Sequence, residues 1–212
     1  MAGAPPVRPP RTLIIACGAL AHELLAVIEA NGWTHMALTC LPADLHNRPD
    51  RIPDALRAKI REARPDHDRI LALYGDCGTG GLLDAMLAEE GVARIPGAHC
   101  YEFYAGSAAF ATLHDAEPGT FYLTDYLVRH FETLVIRGLG LDRHPQLLPD
   151  YFGNYTRLVY LAQTEDADLT ARARAAADRL GLAFEHRATG LDGLSRFLAP
   201  HGARQVPETS VA

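Results

Sequence analysis

Three cysteines occupy matching places in the chain. Cys17 stands in "IIACGALAHE", Cys77 in "LALYGDCGTGG" and Cys100 in "RIPGAHCYEFYAG", each after an apolar run and just before a helix-like segment. A thiol at a helix N-terminus is biased toward the thiolate, which is both a nucleophile and a soft metal ligand. No CxxC pair occurs, so the zinc-ribbon and thioredoxin signatures are absent. Three thiolates without a fourth suit a cubane iron–sulfur cluster (4Fe-4S) with one open iron, which is the first choice. Zinc, with a histidine or water in the fourth position, is the alternative. His99 adjoins Cys100, and His22 follows Cys17 by about one and a half helical turns, so either could complete the set, His99 first. An open metal position would act as a Lewis acid toward a small molecule bearing sulfur, oxygen or nitrogen.

Other side chains compete for roles. "LPADLHNRPDRIP" puts His46 and Asn47 in a loop bounded by prolines, where they contact substrate or simply start a helix with Asn47 as its cap. Glu102, between Tyr101 and Tyr104 in "HCYEFYAG", serves as an acid or base beside the metal, or only complements a helix dipole. The catalytic candidates are therefore His46 and Glu102. "GDCGTGG" could cradle a phosphate on backbone N–H groups, but it matches neither the Walker pattern nor GxGxxG. A metal-free reading makes Cys77 a nucleophile with His46 or His99 as its base, and leaves two cysteines unexplained. Cys40, inside "MALTC", reads as core.

Positioning these residues falls to alternating strands and helices. "TLIIACG", "HMALTCLP" and "RILALYG" are short apolar runs of the kind buried on both faces of a parallel sheet. Between them lie helical patterns, with Leu20, Leu24, Leu25 and Ile28 in the first and Ile52, Leu56 and Ile60 in the second. "VARIPGAHC" is a short fourth strand or a loop, and "YEFYAGSAAFATLHDA" reads as one helix. "GTFYLTDYLVRHFETLVIRGLG" predicts a strand running into a long helix. A loop over 144–155 is followed by a strand, helix, strand and helix. The pattern is an α/β fold, three-layer and Rossmann-like, with a mostly parallel sheet and helices on both faces. Ligands in such folds bind outside the carboxyl ends of the strands, where all three cysteines should meet.

Whole-chain properties narrow the function. The 212 residues suffice for one domain, set at 12–202, after a lead-in over 1–11 predicted to be disordered and before a loose tail over 203–212. A net charge of −6 without a basic stripe argues against nucleic acid as a partner. No apolar run is long enough for a membrane span, and the start of the chain lacks the apolar core of a signal peptide, so a cytoplasmic protein is expected.

The blocks "IIACGAL", "LPADLHNRPDRI", "LYGDCGTGGLL", "IPGAHCYEFYAGS" and "GTFYLTDYL", in this order, resemble those of a prokaryotic family known as domain of unknown function 1638. The resemblance runs over roughly residues 12 to 200. It implies a shared role for Cys17, Cys77, Cys100 and the loop holding His46. Some members neighbour genes for corrinoid-dependent methyltransferases, which implies a place in methylated-amine or other one-carbon metabolism. It also implies corrinoid methyltransferase components as partners, with an accessory role as the alternative to an enzyme acting on a small-molecule substrate. The chain departs from the family at Pro96-Gly97, where a Pro-Arg pair is usual, so an arginine contact to an anion is not expected there.

Overall fold

The computed structural model describes residues 10–202. The tail over 203–212 lies outside these residues, as does most of the lead-in. Arg11, assigned to the lead-in, is anchored by its backbone N–H, which donates to Asp68 Oδ2 at 2.8 Å.

Seven strands and nine α-helices alternate along the described residues. The first half holds β1 (Thr12–Cys17), α1 (Ala21–Ala30), β2 (Met36–Leu41), α2 (Ile52–Ala63), β3 (Arg69–Leu73), α3 (Leu82–Glu90) and β4 (Ala93–Arg94). Two helices, α4 (Glu102–Ala105) and α5 (Ser107–Ala116), lead across to β5 (Thr120–Thr124) and α6 (Asp125–Arg129). The second half continues through α7 (Leu148–Phe152), β6 (Arg157–Ala162), α8 (Ala167–Leu180) and β7 (Ala183–Ala188), and α9 (Asp192–Gly202) follows. The α/β, three-layer, Rossmann-like reading holds, but the strands form two parallel sheets rather than one. Their orders are β2-β1-β3-β4 and β5-β6-β7.

In the first sheet β1 is central and every residue in it is buried, as a strand covered on both faces requires. The chain leaves β1 for β2 on one side and then crosses to β3 on the other. Right-handed crossovers therefore put α1 and α2 on opposite faces. The predicted stripe Ile52, Leu56 and Ile60 is buried in the core of this half, contributing about 2 kcal/mol per side chain. The stripe of α1 is less complete, because Leu25 faces solvent. The reversal of direction opens a crevice between the carboxyl ends of β1 and β3, where Cys17 and Cys77 were expected.

Three segments differ from expectation. The helix over "YEFYAGSAAFATLHDA" breaks at Gly106, whose φ of +79° a β-carbon would resist, giving α4 and α5. The long helix after β5 is only five residues of α6, followed by a π-helical turn at Glu132–Arg137. The loop over 144–155 contains α7.

Each sheet has its own core. Phe110 of α5 packs on Tyr122, Val159 and Leu161 of the second sheet, with Tyr101 against the same cluster. Leu194 and Leu198 of α9 are fully buried in the core of the first half, although α9 follows the last strand of the second. No helix among the described residues is long and apolar enough to cross a membrane.

Candidate functional site

The three cysteines converge. Cys17 is the last residue of β1, Cys77 lies in the loop between β3 and α3, and Cys100 in the turn before α4. The Cys77 and Cys100 sulfurs are 3.2 Å apart, and Cys100 also shares a hydrogen bond with Cys17. Cys40, paired with Ala16 on the neighbouring strand, stays apart as expected, and burial lifts its thiol to about 11.

The "GDCGTGG" loop explains how Cys77 is aimed. Cys77 has φ +50°, and Gly78, Gly80 and Gly81 also have positive φ, a combination that L side chains rarely adopt. The Asp76 carboxylate fastens the loop by accepting from the Thr79 hydroxyl at 2.6 Å and from the Gly80 and Gly81 N–H groups. Gly75 is required for a different reason. A β-carbon there would stand 2.7–2.9 Å from the backbone of His99. Its absence lets 75–77 lie along 97–98, with Asp76 N–H donating to Gly97 O and Cys77 N–H to Ala98 O.

Each sulfur also receives a backbone N–H. Ala19 donates to Cys17, Cys100 to Cys77, and Gly75 to Cys100 at 3.4 Å. Such bonds favour negative sulfur. Helix dipoles contribute less than the sequence implied, because α3 starts five residues past Cys77 and the field fades within one turn. The hydrogen bond with Cys100, aided by His46, lowers the Cys77 thiol to about 5. Cys17 is lowered by its bond with Cys100, whereas Cys100, facing both of the other sulfurs, is raised well above the ordinary thiol range.

The sulfurs open into a cavity of about 330 Å³ between the two halves. His46, Asn47 and His99, which the sequence singled out, line it, and so do Tyr101 and Tyr104. His46 hydrogen-bonds Cys77, and that bond raises its pKa. His99 stacks on Tyr101, and burial lowers its pKa. Asn47 spans the halves, its Nδ2 donating to Leu134 O at 3.2 Å. In the π-helical turn the Gly138 and Leu139 N–H groups both go to Val135 O, and Leu134 O accepts from Asn47 instead. Such turns recur at functional sites.

Glu102 is not brought to the cavity. It is buried behind the wall, where its carboxylate accepts from Ala98 N–H at 2.9 Å and so pins the loop carrying Cys100. His22 is exposed on α1 and is not among the lining residues. Sequence reasoning missed Tyr74, Phe121, Tyr122 and Tyr155, and the Leu134–Leu139 stretch that forms much of the opposite wall. Tyr74 had a signal: it ends the apolar run of β3, at the edge where the cysteines meet.

The donor set can be tested against the groups it would hold. Among the described residues no set of three or more His, Cys, Asp or Glu side chains is arranged as a formed metal site. Thiolates on one tetrahedral ion with 2.3 Å bonds stand about 3.8 Å apart, so the 3.2 Å pair needs to part by only about half an ångström. Thiolates on different irons of a cubane stand about 6 Å apart. The Cys77–Cys100 distance is thus nearer that of a single ion than that of the cluster the sequence put first. The three N–H···S bonds suit either.

No curated protein and no solved structure matches the chain. Residues 40–198, about three quarters of it, match the family described as "Protein of unknown function (DUF1638)". That span includes Cys77, Cys100 and the His46 loop but begins after Cys17, and is shorter than the resemblance read from the sequence blocks. The match is broad enough to settle membership, and the chain belongs to the DUF1638 family.

Proposed function

We propose that Cys17, Cys77 and Cys100 hold a metal ion at the switch point of the first sheet, and that the protein is an enzyme acting on a small molecule in the adjoining cavity. One observation carries this reading: three cysteines, from the end of β1 and from the segments that follow β3 and β4, meet at one wall of a cavity, each sulfur with its own backbone donor. Zinc or a similar ion suits the sulfur spacing, and the 4Fe-4S cluster is the alternative cofactor. When bound, the metal would supply a Lewis acid with a position free for substrate. The chain's own groups do the rest. His46 hydrogen-bonds Cys77 and is placed to hold a proton beside it, and His99 offers an imidazole whose pKa burial lowers. Glu102 keeps the Cys100 loop in register rather than moving a proton.

A concave pocket beside the sulfurs favours an enzyme over a metal-carrying accessory, which needs only an exposed patch. Four free thiols accord with a reducing cytoplasm. Methylated-amine or one-carbon metabolism, with corrinoid methyltransferase components as partners, belongs to the same reading.

Metal and acid-labile sulfide analysis of anaerobically purified protein tests it. About one ion per chain and no sulfide is expected, lost equally in Cys17→Ser, Cys77→Ser and Cys100→Ser. About four irons and four sulfides would assign the cluster to the same ligands. Metal-free protein would overturn the proposal.

A second reading has its own support. The His46 bond to Cys77, with the thiol held near 5, is the arrangement of a nucleophile and its base. In that case Cys77→Ser alone abolishes turnover, while the other two substitutions only lower stability.

A further inference from the structure

The second sheet ends on an open edge. β7 pairs with β6, and among the described residues no strand lies along its other side. Ala183 N–H donates to Thr156 O and Thr189 N–H to Ala162 O. In a parallel ladder of that register the odd-numbered residues of β7 turn their backbone groups to β6. Phe184, His186 and Ala188 therefore turn theirs outward, and His186, Arg187 and Ala188 are exposed. The strand is already formed and held, with Phe184 under the Arg174 guanidinium and His186 against the Tyr160 ring. Such an edge is a template for another strand.

The other edge strands are poorer templates. β4 has two residues, and β5 is buried at all but one position. In β2 the Met36 N–H is already taken by Trp33 O, and "MALTCL" carries no charge to set a register.

Charge names the occupant. Proline or like charges would repel a further strand, but β7 carries Glu185 and Arg187, of opposite sign, on either side of His186. A second copy laid antiparallel, with a two-fold axis at His186, sets Glu185 opposite the partner's Arg187 and Phe184 opposite the partner's Ala188. The outward backbone groups of Phe184, His186 and Ala188 then fall at hydrogen-bonded pairs, each exchanging both N–H···O bonds. Glu185 and Arg187 fall at the non-hydrogen-bonded pairs, where opposing side chains lie closest. Within one subunit Glu185 already accepts from Arg187 at 2.5 Å and from Arg157 at 3.0 Å on the same face. Carboxylates and guanidiniums therefore alternate across the axis. Centring the pair on Glu185 or Arg187 instead would set like charges opposite and turn the outward backbone groups away from each other.

We propose that β7 is a dimerisation edge, at which two copies of this chain pair antiparallel about His186 and join their second sheets into one. The inference is independent of the metal reading.

Sedimentation velocity of the full chain, from about 1 µM to about 1 mM, tests it. The wild type is expected to form a dimer. Arg187→Glu and Glu185→Arg each set like charges opposite across the axis, and each should weaken the dimer about tenfold or more. Mixed in equal amounts, the two variants restore opposite charges at both pairs and should form a heterodimer as tight as the wild type. His186→Pro removes an outward N–H, is tolerated on such an edge, and should be monomeric with an unchanged far-UV spectrum. If loss of the Arg157 pair unfolds Glu185→Arg, then Arg187→Glu and His186→Pro decide. A monomeric wild type would overturn the inference, as would a dimer that survives these substitutions or a mixture no tighter than its parts. Slow amide exchange at Phe184 and His186 in a monomer would place another segment, such as 203–212, on the edge, and would overturn it too.

Discussion

A thiol with an ordinary pKa near 9 becomes a different reagent when two donors face it. Cys77 is lowered to about 5, first by Cys100 and then by His46, and His46 is raised above 6.5 mainly by Cys77. The signs of the two contributions to stability are opposite. Cys77, depressed, contributes stability that is complete above its ordinary value and is lost as the pH falls through about 5. His46, raised, contributes stability that is complete below 6.5 and is lost as the pH rises through its folded value. The thiolate–imidazolium pair therefore exists from about pH 5 up to the raised pKa of His46. Thiolate absorbance near 240 nm, followed in metal-free protein, should show an ionisation step near pH 5 that is diminished in Cys77→Ser. His46→Gln should move that step upward. A first step above pH 7 in the wild type would mean that these hydrogen bonds are not made in solution. The convergence of Cys17, Cys77 and Cys100 was legible because chemically special residues recurred at one topological position. Glu102 was misread because sequence cannot say which side of a turn a side chain takes, and here it turns back to Ala98 N–H.

At the scale of elements, periodicity carried most of the information. The buried run of β1 and the Ile52, Leu56, Ile60 stripe of α2 are local patterns, and the structure keeps both. The misses have nonlocal causes. Division of the strands between two sheets depends on which edges pair, and no residue in β4 or β5 advertises a missing partner. The π-helical turn depends on Asn47, from a loop far away in sequence, meeting Leu134 O. Gly75 shows how a loop's register depends on one atom. A β-carbon there meets the His99 backbone at under 3 Å, and backbone cannot swing aside as a flexible side chain can. Gly75→Ala should push the Cys100 segment away from β3. The loss should be about 2–4 kcal/mol in chemical denaturation, because the Asp76 and Cys77 bonds to 97–98 go with it. Gly32→Ala is the control: unlike Gly75 it has positive φ, but nothing lies within 4 Å of the new atom, so its cost should be only about 1 kcal/mol. Equal losses in the two variants would show that the close approach at Gly75 is unimportant.

On the scale of the whole molecule, the question is whether two sheets with separate cores behave as one unit. The chain passes between the halves twice, outward through α4 and α5 and back through α9. The return is the stronger tie, since Leu194 and Leu198 are fully buried in the core of the first half. Gly193 admits α9 closely against α4, since a β-carbon there would collide with Phe103 O, and Gly202 rests against the Trp33 ring. Tyr101 stacks on Tyr122 at 5.4 Å from across the joint, and Asn47 bonds Leu134 O. Neither half is complete without chain supplied through the other, and the cavity lies between them. Cooperative unfolding should follow. Leu198→Ala leaves a void in the first core and should cost about 2–5 kcal/mol. If the halves are coupled, the loss appears as a shift of one transition, with calorimetric and van't Hoff enthalpies still equal and near-UV signals from both halves moving together. If they are independent, the scan splits, and the second-sheet signal melts where it does in the wild type. Coupling has a functional corollary, because a cavity walled by both halves keeps its shape only while they move as one. Leu198→Ala, far from the sulfurs, should then also weaken small-molecule binding without altering metal content.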